Sequence, residues 1–133
     1  MFTPDQIQQL RNMAYAFRLD VPEAFWIEPL DKLQRIFNGC GADWMPRWCR
    51  WLLTLVFWKF LAPFLIHDWE FDYSDGTRSS FTIANKRLYR NCLKVIGSVY
   101  SWLTEPALKL RGYVCSWIVY RVCQHFGWSA WRD

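Results

Sequence analysis

Leu88, Cys92, Val95, Ile96, Val99 and Leu103 repeat at close to 3.6 residues along one stretch of the chain. That spacing lays them on a single stripe of an α-helix, and a stripe of this kind has to be buried against a partner surface. No segment alternates apolar and polar residues with period two, the mark of a half-buried strand. Together these features predict an all-α fold. The expected architecture is a single compact bundle of five or six helices over residues 1–133, with an antiparallel central helix pair and little or no sheet.

The punctuation of the sequence divides that bundle. Thr3-Pro4-Asp5-Gln6 reads as a capping box with proline at the first helical position, opening a helix to about Phe17. Asp20-Val21-Pro22-Glu23 begins a short helical or extended piece that Pro29 ends. A further short amphipathic helix carries Leu30, Leu33, Ile36 and Phe37 and stops at Asn38-Gly39. Gly39 to Asp43 forms a tight loop. Pro46 opens a helix that Pro63 breaks, and Pro63 suits the first turn of the next one. Ser74 to Thr77 is a turn, after which Ser79 or Ser80 caps the long helix. The last helix spans 104–127 and ends at Gly127; Trp128 to Asp133 reads as irregular.

Composition removes several function classes. A chain that is 53% hydrophobic is not disordered as a whole. Ten Trp, ten Phe and six Tyr exceed what a core of this size needs: either rings fill the core with some left on the surface, or several Trp sit at a wet–apolar boundary, a membrane surface or a protein interface. The net charge of +4 is scattered, and no basic run tracks a groove, so a nucleic-acid partner is not expected. Five cysteines without a CxxC spacing argue against a complete disulfide framework or a zinc ribbon. Cys49, Cys115 and Cys123 stand at apolar helical positions and are expected as buried thiols. Met1 to Asp5 carries neither a basic region nor an apolar run, so no signal peptide is expected and synthesis in the cytoplasm is the default. Trp51 to Ile66 falls short of the roughly 20 apolar residues of a membrane span and is interrupted by Lys59 and Pro63. A buried helix, or one lying against a membrane or a partner, fits it better.

Chemistry converges on His67. It lies in an apolar helix and is followed at once by Asp68. His67 precedes the turn at 74–79 by about two helical turns and Asn85 follows it by just over one, so an antiparallel helix pair can set the two side chains face to face. Backbone carbonyls of the Gly39–Gly41 loop and the Asp68 carboxylate are hard oxygen donors of the kind that hold calcium. A histidine base, a polar group orienting it and a calcium ion beside it make a water-activating hydrolytic centre. No nucleophile motif such as GxSxG is present.

Phe37-Asn-Gly-Cys-Gly41, Ile66-His-Asp-Trp-Glu-Phe71 and Ala84-Asn-Lys-Arg-Leu-Tyr-Arg-Asn-Cys92 together resemble the phospholipase A2 fold, in the minimal form encoded by bacteriophages and prokaryotes. The resemblance covers residues 37–92. It implies His67 as the base, Asp68, Gly39 and Gly41 as calcium ligands, Phe71 at the aromatic position of the histidine helix, and Tyr73 in support. It also implies an acidic residue orienting the histidine, and here Asn85 stands in that place. In serine proteases the comparable Asp-to-Asn change costs about 10⁴ in rate. The metal loop is shorter, and the stretch from Ala42 to Ile66 longer and more apolar, than in that family.

Two functions follow as expectations. One is a calcium-dependent, phospholipase A2-like lipid esterase of phage type, acting peripherally at an anionic or zwitterionic lipid surface. The other is a non-catalytic virion or tail component that keeps the helical scaffold and packs against other virion proteins.

Overall fold

The computed structural model describes residues 2–37, 45–57 and 60–132. Among them, the chain is all-α, with no strand. The elements are α1 (Pro4–Ala16), α2 (Glu23–Trp26), α3 (Leu30–Ile36), α4 (Arg47–Phe57), α5 (Ala62–Asp72), α6 (Arg78–Val99), α7 (Pro106–Phe126) and α8 (Trp128–Arg132).

Helix starts follow the predicted chemistry. Thr3 accepts from the Gln6 amide at 3.2 Å while the Gln6 side chain accepts from the Thr3 amide at 2.8 Å, closing the capping box. Pro63 lies in the first turn of α5 and Pro106 in that of α7. The cap of α6 is Thr77, whose hydroxyl accepts from the Ser80 amide at 3.3 Å; the expected cap, Ser79 or Ser80, falls inside the helix. Asp75 explains the shift. Its carboxylate accepts from the Thr77 amide and from the hydroxyls of Thr77 and Ser80, fixing the start of the helix two or three residues earlier. Gly76 takes the left-handed conformation that this turn requires, with φ +76°.

Two short helices, α2 and α8, bring the number above the five or six expected. The tail, expected as irregular, is helical because Trp131 is buried, with its indole donating to the Thr77 carbonyl at 3.0 Å and its ring packing on Phe71 and Phe81. Leu103 also departs from expectation. It follows the end of α6 and is 94% exposed.

α6 runs antiparallel to α5. Phe71 meets Phe81 near the turn, and one helical turn further from it His67 meets Asn85. α7 returns along α6, with Ile96 against Gly112, Tyr89 stacked on Tyr120 and Asn85 bonded to Gln124. Gly112 permits the close approach: a Cβ there would lie 2.6 Å from Ile96 Cδ1. A continuous core extends from Ile7 to Cys123 and draws on α1 through α7. Cys49, Cys115 and Cys123 are buried thiols within it, as their positions predict. No helix among the described residues is long and apolar enough to cross a membrane.

α6 also anchors the segment after α1. Buried Asn91 accepts from the Asp20 amide at 2.8 Å and donates to the Asp20 carbonyl at 2.9 Å, while Lys94 donates to the Arg18 carbonyl. Arg87 and Arg90 both reach the Asp20 carboxylate.

Candidate active site

His67 is 4% exposed, on the face of α5 turned to α6. Its Nε2 lies 2.9 Å from Asn85 Oδ1. An amide oxygen only accepts, so Nε2 carries the hydrogen and Nδ1 keeps the lone pair. Asn85 is fully buried and donates through Nδ2 to Gln124 Oε1 at 2.9 Å; Gln124 in turn donates to Thr82 Oγ1 at 3.1 Å. One polar chain therefore joins α5, α6 and α7 and satisfies the groups it buries.

Burial pushes the imidazole down to about 4, and the hydrogen bond it donates to Asn85 offsets this only in part. His67 is neutral at physiological pH. Phe71, one turn on, lies against it with ring centroids 4.6 Å apart. Sequence spacing thus brings His67, Asn85 and Phe71 together.

The other expected site residues are placed differently. Asp68 is half-buried and close enough to Cys123 for its charge to raise that thiol, after the larger effects of burial and of Cys49 and Cys92. Tyr73 belongs to another cluster: its hydroxyl donates to Glu28 at 3.0 Å, and the Lys32 ammonium lies 4.1 Å from its ring centroid. Gly39 and Gly41 lie outside the described residues. Among those described, no three His, Cys, Asp or Glu side chains stand together to hold a metal ion. Asp68 is thus the single described donor of the expected calcium set, and a carboxylate of that kind suits the ion.

Sequence reasoning does not reach Gln124 or the pairing of Glu70 with Arg87. Glu70 is buried, with Oε2 at 2.5 Å from Arg87 Nη1 and Oε1 without a partner. Burial raises its carboxyl to about 7 and outweighs Arg87. It borders a groove of about 290 Å³ between Trp69, Tyr73, Ile83 and Trp131, a face of α5 distinct from that of His67. The available signal was a polar residue set among apolar helical neighbours, as Gln124 is beside Val122 and Cys123. Such a residue needs a buried partner.

No protein-family model matches the chain, and no curated protein or solved structure is detectably similar to it. Its chemistry rests on its own geometry.

Proposed function

We propose that the chain is a phospholipase A2-like lipid hydrolase of phage type whose base is His67. The observation that carries this reading is the buried bond between His67 Nε2 and Asn85 Oδ1, with Asp68 on the next residue of the same helix. The bond fixes the ring and leaves Nδ1 unprotonated, the state a general base needs to take a proton from water. Asp68, with carbonyls of Gly39 and Gly41, would hold calcium, which polarises an ester carbonyl when bound. Asn85 orients the imidazole without a charge to stabilise its protonated form. Together with the depressed pKa, this makes His67 a weak base and predicts slow turnover.

The depth of His67 favours a second reading, a virion or tail scaffold without turnover. In that case the chain from His67 to Thr82 serves to lock three helices in register.

Calcium-dependent release of fatty acid from mixed phosphatidylcholine and phosphatidylglycerol vesicles separates the two. The hydrolase requires release that chelator, His67→Gln and Asp68→Asn each abolish. Release that persists in His67→Gln removes His67 as the base, and no release by wild type despite bound calcium favours the scaffold. Calcium binding itself, compared between wild type and Asp68→Asn, tests the metal site independently of turnover.

A further inference from the structure

Among the described residues, the flank of α7 turned away from the core is exposed. Gly112, Cys115, Ser116, Val119 and Cys123 bury the opposite side. The outer side carries Ala107, Leu110, Val114, Trp117 and Arg121, spaced alternately by three and four residues along one exposed ridge. Leu110 is 55%, Val114 49% and Trp117 53% exposed. Leu103 and Trp102, also exposed, extend the apolar surface beyond the start of the helix.

Charge selects the partner. α7 contains no acidic residue, and Arg111 and Arg121 are exposed on it, the latter 5.9 Å from the Trp117 ring centroid. The asymmetry extends through the segment that contains α7. Residues 76–133 carry nine Lys and Arg against two acids, whereas residues 1–75 carry seven against ten. A second copy laid on this ridge would bring arginines near arginines, with no carboxylate on the helix to answer them. An anionic lipid surface answers both features: headgroups meet the guanidinium groups, and the ridge enters the apolar boundary with an indole at the interface.

We infer that the exposed ridge of α7, from Leu110 to Arg121, is a docking face for an anionic lipid membrane. This deepens the lipid-hydrolase reading and rests on it for its biological purpose, while the surface itself is independent of turnover. Gln124 connects the two. It comes seven residues after Trp117, hence on nearly the same side of α7, and its hydrogen-bond chain leads through Asn85 to His67. The polar chain that holds the imidazole thus begins at the margin of the docking face.

Flotation of the full chain with phosphatidylglycerol vesicles and with phosphatidylcholine vesicles tests the inference. Wild type is expected to float with phosphatidylglycerol, to float far less with phosphatidylcholine, and to be released by salt. Arg111→Gln with Arg121→Gln, and separately Val114→Gln with Trp117→Gln, should each weaken the association roughly tenfold or more. All four positions are exposed, and unchanged far-ultraviolet dichroism verifies the fold. Absence of association with phosphatidylglycerol, or association indifferent to both pairs, overturns the inference. So does a lipid-free dimer that Val114→Gln with Trp117→Gln disperses, because the face then belongs to a second copy. His67→Gln keeps the readouts distinct. Flotation of that variant at wild-type level without fatty-acid release leaves docking intact, whereas release by a wild type that does not float leaves only the hydrolase.

Discussion

Asn85 holds the ring of His67 across two helices through one uncharged hydrogen bond of 2.9 Å, with Asn85 fully buried and the ring 4% exposed. A carboxylate at the same position would favour imidazolium and raise the pKa of His67 from about 4 toward neutrality. Asn85→Asp should therefore move the His67 titration upward by at least about one unit, followed by NMR of the ring protons. Any fatty-acid release should rise with it. Asn85→Leu has the opposite consequence, stranding His67 Nε2–H and Gln124 Oε1, and should cost about 2 kcal/mol or more in chemical denaturation.

Two groups on α5 give stability opposite dependences on pH. His67 takes a proton near 6.5 when unfolded but only near 4 when folded, so stability falls as pH drops through that window. Glu70 takes one near 4.5 unfolded and near 7 folded, so stability falls as pH rises through its window. Between pH 4.5 and 6.5 the two slopes nearly cancel, and urea midpoints should be almost flat there. Glu70→Gln should unmask the rise with pH and His67→Gln the fall, each on the order of 3 kcal/mol across its window.

Arg87 neutralises Glu70 from one side only. Arg87→Met leaves that carboxyl buried without a charge partner and should destabilise the fold by about 3 kcal/mol at pH 8. The loss should shrink at pH 5, where Glu70 carries its proton. Adding Glu70→Gln should recover most of it, as a double-mutant cycle measures.

The crossing of α6 and α7 depends on one absent methyl group. Gly112→Ala would push its Cβ to within 2.6–2.9 Å of three Ile96 atoms, and Ile96 is fully buried. A loss of about 1–3 kcal/mol is expected, despite the better helix propensity of alanine. Ile96→Val in the same chain should cost less than the two changes summed, which thermal unfolding will reveal.

Legibility in the sequence followed the range of the interactions. Local chemistry was readable: Thr3 with Gln6, Pro63 at a helix start, and Gly127 closing α7 are all decided within a few residues. The pairing of His67 with Asn85 was readable too, since eighteen residues and one turn fix their phase. Gln124, 39 residues from Asn85, was not, because nothing near it in the chain announces its partner. α8 escaped for the same reason. Its five residues are too few to show a period, and Trp131 is ordered by Phe71 and Phe81 from other elements. The cap of α6 was misplaced because Thr77, Ser79 and Ser80 are equivalent by type, and only the contacts of Asp75 distinguish them.

The sulfur atoms hidden along the seam between α4 and α7 act as a built-in clock. Cys49, Cys115 and Cys123 are out of reach of solvent, and burial raises all three thiols above their ordinary range, so little thiolate exists to react while the helices remain together. Alkylation of these three sulfurs in the native protein, mapped residue by residue, would thus report how often that seam opens.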